Sequence, residues 1–164
     1  TYQSDTNYQQ EIETELKKVD QSLSPFNKTS VITQVNQGKD IEVDEMFTEV
    51  FRMAESISKE TNGAFDITVA PMVNLWGFGF KQGVPPTKAK IDSIKTLVGY
   101  EKVALEKGRI IKQNPKIMLD CSAIAKGYGS DIVARFLKKK GISNFMVEIG
   151  EEIVVNGVSE KQVP

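Results

Sequence analysis

The chain predicts an α+β fold, with helices packed on a mixed or antiparallel sheet. Helical spacings of three and four govern its first third and return after residue 44, while short β-prone runs bounded by turn residues cluster after residue 102. No repeat at solenoid spacing and no low-complexity linker interrupts this order. Helices first and strands later is how segregated α+β domains read, whereas a parallel sheet needs the two to alternate.

Residues 6–9 (TNYQ) read as a capping box, and Tyr8, Ile12, Leu16, Val19 and Leu23 follow as an apolar stripe. Ser24-Pro25 ends that helix, because proline pushes its predecessor into extended geometry. A short helix over 30–36 turns Val31, Ile32 and Val35 inward, and 41–43 is a brief extended piece. Asp44 caps a helix with the stripe Phe47, Val50, Phe51, Ala54 and Ile57, and Asn62-Gly63 stops it. Pro71 opens a further short helix. A surface loop covers 81–86, and Thr87 caps a helix through Val98. Residues 102–105 and 109–113 form a hairpin around Lys107-Gly108. The run 116–120 is a strand, and a helix starting near Ala123 ends in Lys138, Lys139 and Lys140 before Gly141. Strands at 144–149 and 153–155 flank a turn or bulge at Gly150-Glu151-Glu152. Residues 158–164 find no sheet partner downstream, so the sheet is expected to be incomplete at that end.

At 164 residues the chain fits one domain and can bury a real core. Its 21 basic and 22 acidic residues leave a net charge of −1, which suggests neither nucleic acid nor an anionic membrane as partner. No apolar run approaches the roughly 18 residues that a membrane-spanning helix needs, and no secretory signal is visible. The chain has no histidine and one cysteine, Cys121. An internal disulfide, the usual zinc sites and Ser-His-Asp or Cys-His nucleophile systems cannot be built from these residues. Chemistry must draw on carboxylates, lysines, tyrosines, hydroxyls, backbone groups or a hard cation.

Two stretches carry candidate chemistry. KIMLDCSAIAKGYG (116–129) places Asp120 at a strand end, a small-residue turn after it, and Lys126 on the first turns of a helix. Helix N-termini offer unpaired N–H groups and a positive dipole end to phosphates. The same pattern also reads as a strand-turn-helix whose glycines only let the elements pack closely. GAFDITVAPMVNLWGFG (63–79) crowds Phe65, Val69, Met72, Val73, Leu75, Trp76 and Phe78 around Asp66, Thr68 and Asn74. Asp66 in such company is either functional or a structural cap acting through Thr68, because a buried carboxylate without partners is costly.

Together with NFMVEIGEEIVVNG (144–157), these stretches resemble the ApbE family of FAD:protein FMN transferases, and LSPFNKTSVITQVN (23–36) fits as well. The resemblance implies that the chain is the N-terminal portion of a single flavin transferase domain with an ApbE-like fold. Such enzymes bind FAD and Mg²⁺, cleave the pyrophosphate, and join FMN through a phosphoester to a Thr or Ser hydroxyl of an acceptor protein, releasing AMP. By motif position, Ala64, Phe65 and Asp66 would line the flavin-nucleotide site. Asp120 and Lys126 would contact FAD, and the Ala123 carbonyl would be one Mg²⁺ ligand. Phe26 stands where many members carry a tyrosine against FAD, so stacking is expected there without a hydroxyl. The aromatic stretch would offer a dry wall for a flat ring system.

The resemblance also implies that a His-containing motif, with the Asp and Thr side chains that complete the Mg²⁺ site, lies outside these residues. Where the family usually has two adjacent glycines the chain has Gly150-Glu151, which is expected to obstruct a close backbone approach. The acceptor implied is a membrane redox subunit, and the place of action lies outside the cytoplasmic membrane, commonly with a lipid anchor. Two further activities fit the same residues: an FAD-binding module without catalysis, and an FAD pyrophosphatase yielding FMN and AMP.

Overall fold

The computed structural model describes residues 1–78 and 85–158. Most of the loop expected at 81–86, Gly79 and the run 159–164 lie outside the described residues. In chain order the elements are α1 (Gln9–Leu23), α2 (Val31–Asn36), α3 (Glu45–Glu60), α4 (Ala70–Leu75), α5 (Lys88–Lys95), β1 (Val103–Glu106), β2 (Arg109–Lys112), α6 (Ser122–Lys139), β3 (Phe145–Ile149) and β4 (Glu152–Asn156). Short 3-10 turns at Ile67–Val69 and Tyr100–Lys102 complete the set. The arrangement is α+β with antiparallel hairpins, and the chain divides into two compact units, Ser22–Cys121 and Thr1–Gln21 with Ser122–Pro164.

In the unit Ser22–Cys121, α3 supplies the buried stripe Phe47, Val50, Phe51 and Ala54 that its spacing predicts. Asp44 caps it by accepting from the Phe47 N–H at 2.7 Å, and the buried Ser22 hydroxyl donates to the same carboxylate oxygen. Strands β1 and β2 pair antiparallel, with Glu106 opposite Arg109 across Lys107-Gly108. Both turn residues have positive φ (46° and 75°), the signature of a type I′ hairpin turn.

Some expectations shift. Helix α5 ends at Lys95 rather than Val98, and the chain turns through Gly99 at φ 147°. Residues 117–121 run extended with Ile117, Leu119 and Cys121 buried in alternation, yet they belong to no strand ladder. Their backbone groups pair elsewhere. Leu119 exchanges hydrogen bonds with the Asn36 side chain, and the Asp120 N–H donates to the Ile67 carbonyl at 2.7 Å.

In the other unit, helix α1 starts at Gln9, whose N–H is taken by the Asn7 side chain at 2.9 Å. The capping box expected at Thr6 does not form, and the Asn7 side chain takes the first helical N–H in its place. Strand β3 lies between β4 and the chain start, where Tyr2 bridges Phe145 and Thr1 exchanges backbone hydrogen bonds with Met146. Helix α6 packs Val133, Ala134 and Leu137 with Ile142, Phe145 and Val147, and Ile12 and Leu16 of α1 join that cluster. Gly129 leaves room for Ile149 of β3, since a Cβ there would stand 3.2 Å from Ile149 Cδ1.

The turn joining β3 and β4 explains the unusual Gly150-Glu151 pair. Ile149 opposes Glu152, so the loop has two residues, and of these Gly150 has positive φ (67°) while Glu151 does not. A two-residue turn of that pattern needs glycine at its first position only. Glu151 is exposed in the turn, so the expected obstruction is not one that the hairpin itself meets.

Candidate functional site

The candidate residues fall in both compact units, and each group has its own geometry. In Ser22–Cys121, Ala64, Phe65 and Asp66 follow the end of α3. Gly63 turns the chain there at φ 78°, with the Tyr100 ring in ordinary contact with its would-be Cβ at 3.5 Å. Asp66 is extended (φ −153°, ψ 118°) and half-buried. Its Oδ1 accepts from both the backbone N–H and the hydroxyl of Thr68, each at 2.7 Å. Thr68, fully buried, in turn accepts from the Gly99 N–H at 2.7 Å. The structural reading of Asp66 as a cap is thus realised. Both bonds use one carboxylate oxygen, and among the described residues nothing hydrogen-bonds Oδ2, so the cap leaves acceptor capacity for a ligand.

Asp120 is brought to the same place by backbone pairing. Its N–H bond to the Ile67 carbonyl sets the segment ending in Asp120 beside the one carrying Asp66. Two carboxylates from segments more than fifty positions apart in the sequence therefore belong to one small region. Next to it, burial and the Asp120 charge push the Cys121 thiol up from 9.0 to about 12. That thiol stays protonated near neutral pH, which makes it a poor nucleophile.

The aromatic residues behave differently from the expectation of a packed wall. Trp76 is 50% and Phe78 85% exposed, and Phe26 is 77% exposed in the bend after α1. Only Phe65 of the predicted aromatic contacts is half-buried. Helix α4 has six residues and buries Ala70 and Pro71, too short a face to cover two further large rings. The sequence shows apolar content here but not which side of the turn faces solvent.

In the other unit, Ala123 and Lys126 stand on the first turns of α6, both exposed. Helical geometry commits one lone pair of the Ala123 carbonyl to the N–H four residues on, leaving the second for a ligand. Lys126 lies over Gly150, and its Nζ is 3.8 Å from Glu152 Oε1. Among the described residues no group of three or more His, Cys, Asp and Glu comes together as a metal site. No helix among them is long and apolar enough to cross a membrane.

Sequence reasoning missed Asn36, Gly99 and Glu152 in these arrangements. The Asn36 carboxamide pairs with the Leu119 backbone and the Gly99 N–H with the Thr68 hydroxyl, contacts between distant segments that no local spacing reveals. Glu152 stands at the first position of β4, and the two-residue turn is the signal that could have found it.

Comparison with known proteins identifies the family. The ApbE family model matches residues 1–164. An FAD:protein FMN transferase of Vibrio cholerae is 37% identical over 161 residues, covering 95% of this chain and 48% of the relative. One from Haemophilus influenzae is 39% identical over 158 residues, covering 90% and 46%. The solved flavin transferase ApbE of Vibrio cholerae superposes with a TM-score of 0.92 at 35% identity, over 99% of this chain and 54% of that one. The apo flavinyl transferase ApbE of Pseudomonas stutzeri gives 0.90 at 28% identity, over 99% and 54%. The chain spans about half the length of the curated relatives it matches. With the whole of its length matched by the family model, the chain belongs to the ApbE family.

Proposed function

We propose that the protein of which these residues are part transfers FMN from FAD to a Thr or Ser hydroxyl of an acceptor protein, releasing AMP. The acceptor hydroxyl oxygen attacks the FMN phosphorus and the bond to the bridging oxygen breaks. AMP leaves with that oxygen, and the hydroxyl proton passes to a base. The observation that carries the reading is the Asp120–Ile67 backbone bond, which sets Asp120 beside the segment of Asp66, two carboxylates expected at the nucleotide. That FAD:protein FMN transferases match over nearly the whole chain supports it.

Each residue's part follows from its chemistry. Carboxylates only accept hydrogen bonds, so Asp66 and Asp120 suit the donors of FAD, its ring N–H and ribityl hydroxyls, and not its phosphates. Lys126 supplies donors and positive charge, and its natural counterpart is a phosphate oxygen. Phe26 and Phe65 offer flat surfaces for a ring. Ala64, exposed and small, lets the nucleotide approach the backbone.

Mg²⁺ is the cation expected with FAD, and it would neutralise charge on the pyrophosphate oxygens. Among the described residues the Ala123 carbonyl is an isolated donor for it, and a hard cation needs about six oxygens. These residues alone do not make its site. The acceptor we favour is a membrane redox subunit, with the reaction outside the cytoplasmic membrane.

Incubating the full gene product with FAD, Mg²⁺ and an acceptor bearing the target hydroxyl tests the proposal. A flavin-fluorescent acceptor band that survives denaturation is the expected result, with AMP released in equal amount. FMN and AMP formed without acceptor, and no labelled acceptor, would replace transfer by pyrophosphatase activity. FAD binding without any product would leave a binding module.

A further inference from the structure

We infer that Glu152 is a positioning residue for Lys126: with Gly150 beneath the lysine stem, its carboxylate holds the ammonium where an FAD phosphate meets it. The inference rests on the reading of Lys126 as the phosphate-facing cation.

Lys126 and Ser130 are one helical turn apart and project from the same face of α6. Both meet the turn between β3 and β4. The buried Ser130 hydroxyl donates to the Glu152 carbonyl at 3.1 Å, which fixes the Glu152 backbone against the helix. One turn toward the helix start, Lys126 crosses the bare face of Gly150. A Cβ at that position would stand 3.2 Å from Lys126 Cδ and 3.3 Å from its Nζ, so the missing side chain is what lets the stem lie flat. The Glu152 carboxylate then stands 3.8 Å from the ammonium, in the last part of the lysine's path.

A half-exposed lysine with no such guide samples many rotamers, and ordering it opposes ligand binding. The floor at Gly150 and the carboxylate at Glu152 impose that order beforehand. An ammonium carries three donors, so Lys126 can keep Glu152 on one and present the others to a phosphate oxygen. Both side chains are about half exposed, so the pair is weak by itself and its effect belongs to the ligand-bound state.

FAD titrations of the full gene product test this with Lys126→Met, Glu152→Gln, Glu152→Asp and the double variant Lys126→Met/Glu152→Gln. Lys126→Met is expected to weaken binding about tenfold or more, as loss of a charge-assisted bond does. Glu152→Gln is expected to weaken it about two- to fivefold, the range of a guiding surface ion pair. Glu152→Asp keeps the charge and should stay near the parent. The double variant should bind no more weakly than Lys126→Met, because Glu152 acts only through the lysine. A merely structural role would instead make the two losses additive, and that result overturns the inference. So does unchanged or tighter binding by Glu152→Gln. Lys126→Met that binds FAD as the parent does removes the underlying reading of Lys126 by itself, and the positioning role with it.

Discussion

Asn36 and Leu119 exchange a reciprocal pair of hydrogen bonds, the Leu119 N–H donating to Asn36 Oδ1 and Asn36 Nδ2 donating to the Leu119 carbonyl, each at 2.8 Å. A carboxamide at the end of α2 thereby does for the buried Leu119 what a neighbouring strand would do. It secures the residue directly before Asp120. Asn36→Ala removes both bonds and strands two backbone groups, which predicts a loss of about 2–4 kcal/mol in urea unfolding. Asn36→Asp keeps an acceptor for the N–H but sets a carboxylate against a carbonyl, so it should also destabilise. Stability within about 0.5 kcal/mol of the parent for both variants would show that the pair carries no weight.

That contact also explains what the sequence does and does not reveal. The β-prone run before Asp120 reads as a strand, and in the structure Ile117, Leu119 and Cys121 of that stretch are buried in alternation without joining a strand ladder. The run does not say what pairs the backbone, and here the partner is a side chain 83 positions away. Local signals fare better where the physics is local. Asp44 before the α3 stripe, and Lys107-Gly108 between β1 and β2, each specify their own geometry within a few residues. The candidate site divides the same way. Asp66 capping through Thr68 is readable from two positions, whereas the bond that brings Asp120 beside it needs the folded chain.

Asp66 has a structural task and a proposed ligand task, and they are separable. Asp66→Asn retains an Oδ1 acceptor for the Thr68 N–H and hydroxyl, so the cap survives and stability should change by less than about 1 kcal/mol. The charge is lost, and FAD affinity should fall about tenfold, as expected when an ionic acceptor becomes neutral. Thr68→Val gives the complement, since it leaves the Gly99 N–H without its acceptor. It should destabilise by about 1–3 kcal/mol. Equal FAD affinity for Asp66→Asn and the parent, measured by flavin fluorescence, would confine Asp66 to the capping role.

Ser58 stands among the buried residues of α3, and among the described residues its hydroxyl has no hydrogen-bond partner. A buried polar group of that kind is a liability, because it gives up water and receives nothing in return. Ser58→Ala removes the hydroxyl, leaves little empty space and raises helix propensity. Thermal or denaturant unfolding should show a gain of about 0.5–1.5 kcal/mol, the reverse of the penalty for an unmade bond. A loss of stability would mean that the hydroxyl has a partner in solution.

Cys121 makes the fold sensitive to alkaline pH. In the folded state burial, with the Asp120 charge beside it, keeps the thiol protonated up to about pH 12, from an ordinary value of 9.0. The unfolded thiol loses its proton near that ordinary value. Between the two, the folded state binds more protons, so the contribution is whole below about pH 9 and declines as pH rises toward 12. A single proton sets a slope of about 1.4 kcal/mol per pH unit inside that window. Cys121→Ala abolishes this slope, while groups common to both proteins, such as the desolvated Lys112 ammonium, cancel in the comparison. The stability difference between parent and variant should therefore be flat below about pH 9 and shift in favour of the variant above it. The same protonation predicts that the folded protein resists thiol-directed reagents near neutral pH and reacts only on unfolding. Parallel pH profiles for the two proteins through the alkaline range would show that the buried thiol titrates as an ordinary one.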